Sequence, residues 1–180
     1  MKSINTVVCL HGFWSHGAGL YLIKRRLENE FGMRALLFNY PSVRGSLDDN
    51  AEALAEFLDK EAADGAHLLG HSLGGVVSLR MLSNHPAAPP GRLVCLGSPL
   101  TGSRAADFLS SQDWAEPILG HSLSRGVVEA PASDWATEAC VHREVGVIAG
   151  DASIGFAQFV AEFEEDNDCL LYTSPSPRDA

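Results

Sequence analysis

Three things are scarce in this chain: long apolar runs, paired cysteines and positive charge. No apolar stretch approaches the ~20 residues that cross a bilayer, so neither a transmembrane helix nor stable membrane insertion is expected. The start, Met1-Lys2-Ser3-Ile4-Asn5, lacks the basic, then apolar, then small-residue order of a signal peptide, which points to a cytoplasmic protein. Four cysteines (Cys9, Cys95, Cys140, Cys169) form no C-x-x-C pair and no ligand-like spacing with the histidines. Neither a disulfide framework nor a metal site is signalled. Lys and Arg number 13 against 23 Asp and Glu, and a formal net charge of -10 repels phosphate backbones and anionic membranes. Nucleic acid is therefore excluded as a partner, and acidic substrates are steered away.

What is present is a globular composition: 180 residues, 46% of them hydrophobic, enough for one domain with a real core and little room for insertions. Val7 to Leu10 reads as a first strand, with Cys9 a small core residue. After a glycine-broken loop from Gly12 to Gly19, Leu20, Leu22, Ile23, Leu27 and Phe31 share a helical face, and Gly32 ends that helix. His16 is a solvated loop residue, and Trp14 either lines a pocket or plugs the loop. Met33 to Tyr40 is a second strand, stopped by Pro41. Ser46 resembles an N-cap, with Asp48 and Asp49 in the first turn of a helix over 47–63. Arg92 to Leu96 is a fourth strand and Val141 to Gly150 a fifth, with weak, glycine- and proline-punctuated pattern between them.

The stretch that organises the chain is His67-Leu68-Leu69-Gly70-His71-Ser72-Leu73-Gly74-Gly75-Val76, a short apolar strand, a glycine-flanked serine and the start of a helix. This is a G-x-S-x-G elbow, in which small residues at Gly70 and Gly74 leave room for a strained turn that holds Ser72 Oγ clear of the sheet. The helix that follows offers free N–H groups and the positive end of its dipole, so the Leu73 amide can hold an oxyanion. Gly120-His121-Ser122-Leu123-Ser124 repeats the elbow superficially but lacks its second glycine and its framing strand and helix. Ser122 is rejected as a nucleophile and His121 is read as structural.

With the elbow, the apolar strand running into His11-Gly12-Phe13-Trp14 resembles the α/β-hydrolase superfamily, in particular small bacterial lipase- and esterase-like members akin to triacylglycerol lipases and GPI-inositol deacylases. The resemblance implies a minimal α/β fold: a mostly parallel sheet flanked by helices, over residues 1–168, with a cap-like insertion at about 103–137. It implies a carboxylic-ester hydrolase needing no cofactor, with a small-molecule or lipid-like ester as substrate. Ser72 is then the nucleophile, the Phe13 and Leu73 amides are the oxyanion donors, and His11, Gly12, Gly70, His71 and Gly74 shape loop and elbow. In such relatives the Gly97-Ser98-Pro99 turn lines the cleft; a plain strand-to-loop turn is equally compatible. The triad acid follows the fifth strand, with Asp151, Asp166 and Asp168 as candidates. Asn167-Asp168 matches the family's turn best, with Cys169 in place of glycine, so Asp168 is preferred and Asp151 is second.

One departure is plain. The family order is nucleophile, acid, histidine, and no histidine follows His142 in this sequence. His142 precedes every acid candidate, and His71 points away across the turn. Residues 169–180 change character abruptly and look like translated adapter or vector sequence, so we expect a non-native tail and a missing last strand, helix and histidine. A thioesterase or acyltransferase with the same nucleophile, or a non-catalytic α/β module binding a lipid or partner in the same cleft, are the alternatives. The residues say nothing of oligomeric state or acyl length.

Overall fold

Alternating apolar segments and helical periods produce a sheet clothed on both sides. The computed structural model describes residues 4–12, 20–98, 100 and 132–148. Strands β1 (Thr6–Leu10), β2 (Arg34–Phe38), β3 (His67–His71), β4 (Leu93–Leu96) and β5 (Val145–Ile148) pair in the order β2-β1-β3-β4-β5, every pair parallel. Parallel neighbours need long crossovers, and these contain α1 (Tyr21–Phe31), α2 (Leu47–Glu61), α3 (Leu73–Asn84) and α4 (Ala132–His142). The expected α/β class, a parallel sheet flanked by helices, is the observed one.

Successive strand residues point to opposite faces, and this divides the core in two. Val7 and Cys9 of β1 pack with Ala35 of β2 and with Leu20, Ile23 and Leu27 at and along α1. Val8 and Leu10 point the other way, into a larger cluster with Leu54 and Leu58 of α2 and Val76 and Leu79 of α3. β1 is thus buried on both faces, which is why it reads as an unbroken apolar run.

The helix signals act as the sequence implies, except that on α1 Leu22 and Phe31, both 68% exposed, stand clear of the face by which Leu20, Ile23 and Leu27 pack on the sheet. Ser46 Oγ accepts the Asp49 N–H at 3.0 Å, and Asp48 and Asp49 occupy the first turn of α2. Gly32 closes α1 at φ 63°, donating its N–H to the Glu28 carbonyl. α3 differs in kind: nine of its twelve residues, Leu73 to Leu79 with Met81 and Leu82, are buried, so it is a core helix with no wet face.

One boundary is corrected. The strand expected over 141–150 begins only at Val145, because Val141 and His142 close α4. Ala132, Trp135, Ala136 and Ala139 recur at helical spacing and pack into the core beside α3, outweighing the local strand pattern. Arg143 finishes the turn, its N–H reaching the Ala139 carbonyl at 3.0 Å and its guanidinium donating to the Pro89 carbonyl at 3.1 Å. Of the cap-like insertion placed at 103–137, residues 132–137 are the start of α4 and the rest lie outside the described residues.

Cys9 and Cys95 are buried in β1 and β4, and burial pushes their thiols up to about 11 and about 12. They stay protonated and behave as small apolar residues. Among the described residues no helix is long and apolar enough to cross a membrane.

Leu54 has no exposed surface, whereas Leu22 is 68% exposed. Leu54→Ala should cost about 2–5 kcal/mol in urea denaturation and Leu22→Ala less than about 0.5 kcal/mol; equal losses would contradict this division of the core.

Candidate active site

β3 ends at His71 and α3 begins at Leu73, so Ser72 alone makes the turn. It does so at φ 53°, ψ -122°, the one positive φ outside glycine among the described residues. A side chain held there is strained by about 1–3 kcal/mol. The surrounding hydrogen bonds impose the angle: the Ser72 N–H donates to the Leu96 carbonyl of β4 at 2.9 Å, and its carbonyl accepts the Gly75 N–H at 3.0 Å.

The glycines around it are required by proximity. A Cβ on Gly70 would collide with the backbone of Gly74 and Gly75. One on Gly74 would lie 2.6 Å from the Leu10 carbonyl oxygen and 2.8 Å from that of His11. The first turn of α3 therefore lies directly against the end of β1, with no room for a side chain between two backbones. From the β4 side, Ser98 is fully buried, donates to the Gly70 carbonyl at 3.4 Å and fills the space against Gly75.

Gly12 follows the end of β1, and a Cβ there would stand 3.0 Å from both Ser72 Cβ and His71 Nδ1. Sixty positions apart in sequence, Gly12 and Ser72 are neighbours in space. His11 is buried and stacked on the Tyr40 ring, centroids 4.4 Å apart and planes 9° from parallel. Its Nδ1 donates to the Gly12 carbonyl at 2.8 Å, its Nε2 faces the Tyr40 N–H at 3.4 Å, and the Tyr40 hydroxyl donates to the His11 carbonyl at 2.6 Å.

The structure thus brings together five of the expected residues around Ser72: His11, Gly12, Gly70, His71 and Gly74, with Leu73 as the first residue of α3. At that position the Leu73 N–H has no carbonyl partner within its own helix. Phe13, Asp151, Asp166 and Asp168 lie outside the described residues, as do His16, His121 and Ser122. Of the other histidines, His67 Nδ1 accepts the Arg92 N–H at 3.1 Å, His85 Nε2 meets the Glu52 carboxylate at 3.0 Å, and His142 is exposed in the last turn of α4 rather than at the head of a strand. Tyr40 and Ser98 were legible only as a strand end and a turn residue. The signal for Tyr40 is its register, since Leu10 pairs with Phe38 and two residues on come Gly12 and Tyr40.

His71 has its pKa lowered, first by loss of hydration and second by the nearby His11. Among the described residues no group of three or more His, Cys, Asp or Glu is placed to hold a metal ion.

A parallel sheet with a serine at positive φ on a strand-to-helix turn, beside a glycine loop from the neighbouring strand, defines the α/β-hydrolase class of fold. The chain belongs to the alpha/beta hydrolase family, whose model matches residues 7–176. Among solved structures it is similar to the mature lipase BlEst2 of Bacillus licheniformis, with 21% identity, a TM-score of 0.66, and 87% of this chain and 70% of that one covered. It is also similar to phospholipase PlaB of Legionella pneumophila, with 18% identity and a TM-score of 0.68 over 87% of this chain but only 41% of that one. A third likeness is to the monoacylglycerol lipase of Paleococcus ferrophilus, with 18% identity, a TM-score of 0.55, and 82% and 73% of the two chains covered. At these identities the likeness is one of fold. No curated protein matches the chain.

Two outcomes follow from the elbow. Ser72→Gly, which removes the strained Cβ, should be more stable than Ser72→Ala by about 1 kcal/mol; a glycine variant no more stable than the alanine one would mean that the angle carries no strain. For His71, the unfolded chain binds its proton at higher pH than the folded one, so stability should fall as pH drops through and below the ordinary histidine range. His71→Gln should flatten that slope in denaturation curves between pH 5 and 8, and an unchanged slope would place its origin elsewhere.

Proposed function

We propose that the chain is a serine hydrolase that cleaves carboxylic esters, of small acyl or lipid-like type, through an acyl-enzyme on Ser72. The observation that carries the reading is the conformation of Ser72, held at φ 53° at the head of α3 with Gly12 against it. Strain of that kind persists only where the surroundings over-determine it, and it presents one hydroxyl at the carboxyl end of a central strand.

In this reading Ser72 Oγ attacks the ester carbonyl carbon, and the carbonyl electrons move onto oxygen. The Leu73 N–H, backed by the α3 dipole, and the Phe13 N–H hold that oxyanion. Collapse expels the alcohol, and water then releases the acid from Ser72. Such a reaction requires a base, in this family a histidine oriented by the acid for which Asp168 is the candidate, to take the Ser72 proton and pass it to the leaving alcohol. The reading carries with it a cytoplasmic location and no requirement for a cofactor. A thioester substrate or an acyl acceptor other than water would use the same nucleophile.

A second reading, a non-catalytic module that binds a lipid or protein in the same cleft, is favoured by one observation. Among the described residues no histidine ring is hydrogen-bonded to Ser72 Oγ.

The test is hydrolysis of p-nitrophenyl butyrate and of a matched thioester by the protein expressed from its full natural reading frame. Ser72→Ala should lower turnover by about 10⁴-fold or more, with the oxyanion donors leaving a small residual. Turnover unaffected by the substitution would remove Ser72 from the reaction. An inert protein that still binds an ester analogue would favour the binding module.

A further inference from the structure

We propose that Ser98 is the positioning residue that aims the Leu73 N–H, acting through its contact with Gly75 and the hydrogen bond from Gly75 to the Ser72 carbonyl. This rests on the ester-hydrolase reading and deepens it, adding a residue beyond the end of β4 that has no exposed surface of its own.

Three consecutive residues at the end of β4 engage the elbow and its surroundings. The Leu96 carbonyl accepts the Ser72 N–H at 2.9 Å, and Gly97, at φ 59°, donates its N–H to the Ile148 carbonyl of β5 at 2.9 Å. The chain so turned places the Ser98 side chain in the interior, where it lines no cleft. Its Oγ donates to the Gly70 carbonyl at 3.4 Å, and the Cys95 thiol is a further hydrogen-bond partner. The same side chain lies so close to Gly75 that a Cβ there would stand 2.1 Å from Ser98 Oγ and 2.8 Å from Ser98 Cβ. Gly75 can approach β4 no further. Its N–H is the donor that holds the Ser72 carbonyl at 3.0 Å. No peptide bond among the described residues is cis, and a trans peptide is planar, so a carbonyl turned toward Gly75 sends the N–H of the same unit, that of Leu73, in the opposite direction. There it faces away from the body of α3, which offers it no carbonyl partner. Ser98 thereby stops Gly75, Gly75 fixes the Ser72 carbonyl, and the carbonyl fixes the Leu73 amide.

The alternative is that Ser98 only fills space and ties β4 to β3. Removing its Oγ opens a gap on one side of Gly75, and a backbone that loses its partner atoms there moves into the gap. A filling role changes stability; a positioning role changes the transition state, because the oxyanion develops only there. The two separate in kinetics.

The experiment compares wild type, Ser98→Ala, Ser98→Cys, Ser98→Thr and Phe57→Leu, all in the full natural reading frame, with Ser72→Ala as the blank. A misaimed donor should cost part of the roughly 10²–10³-fold attributed to one oxyanion hydrogen bond, so Ser98→Ala should lower kcat on p-nitrophenyl butyrate about 10-fold or more with KM within about twofold. Phosphonylation of Ser72 by a fluorophosphonate should slow in parallel. Ser98→Cys, whose thiol refills the space against Gly75, should retain more kcat than Ser98→Ala, and equal kcat in the two would overturn the inference. Phe57 packs against the core from α2, so Phe57→Leu should lower the melting temperature and leave kcat alone. If Ser98→Ala melts lower but keeps wild-type kcat and phosphonylation rate, the positioning role is overturned while the hydrolase reading stands. If wild type is no faster than Ser72→Ala, the hydrolase reading falls and this inference with it. Should Ser98→Ala not fold, the other two variants decide: the added methyl of Ser98→Thr presses on a space already full, so its kcat should fall below that of Ser98→Cys, and equal kcat overturns the inference.

Discussion

Everything at the candidate site depends on two backbones coming closer than any side chain would allow. The first turn of α3 lies against the carbonyls of Leu10 and His11, and this is feasible only because Gly74 has no Cβ. Gly70 opens the same space from β3, and Ser98 closes it from β4. Once those surfaces meet, the Ser72 angle is no longer a local choice. Its N–H is tied to β4, its carbonyl to α3, and the turn between them has one solution. Strain at one residue is offset by three layers of packing, and a serine hydroxyl is left where the sheet ends.

The helix that follows is anchored with similar thoroughness. α3 is buried along most of its length, and its one long polar residue, Arg80, serves two neighbours: it donates to the Asp48 carboxylate of α2 at 2.6 Å and its guanidinium lies 4.9 Å from the centroid of the Trp135 ring of α4. That hydrogen bond holds the Asp48 carboxyl below its ordinary pKa. Such partly exposed contacts contribute little to stability. Their use is geometric, because α2, α3 and α4 are held in one alignment on the face of the sheet opposite α1. A helix so fixed cannot drift, and its N-terminal amides stay aimed at the same point.

Much of this was readable in advance, and the reasons are physical. β1, buried on both faces, is a plain apolar run, the short apolar cores of β2 to β4 stand out between turn residues, and Ser46, Gly32 and the elbow glycines mark turns by the local chemistry that each turn requires. The start of β5 is hidden from the sequence because Val141 follows a helical face that is evident only with α3 lying beneath Ala139 and Trp135. Tyr40 is hidden for the same reason. Its hydroxyl has meaning only against the His11 carbonyl, and that contact spans 29 positions of sequence and no repeating pattern. The elbow is a local motif and the contact between Tyr40 and His11 is not, and single-chain reading detects the first kind far more readily. Phe13 and Asp168 remain tied to the family resemblance, since both lie outside the described residues.

The sheet order has one further consequence. The chain lays down β1, moves outward to β2, then returns across β1 to begin β3 on its other side, so the direction of travel reverses between β1 and β3. The crevice at that reversal is where Gly12 meets Ser72. Because β1 and β3 pair in parallel at a fixed register, Leu10 beside Gly70, a slip of one residue would displace the loop tip by about 3.3 Å and turn every β1 side chain to the wrong face. The site is thus a proofreading mark on the fold: it comes into being only in molecules whose central strands, sixty residues apart along the chain, have found each other in exact alignment. Any reagent that detects the assembled elbow would count correctly registered sheets as well as intact serines.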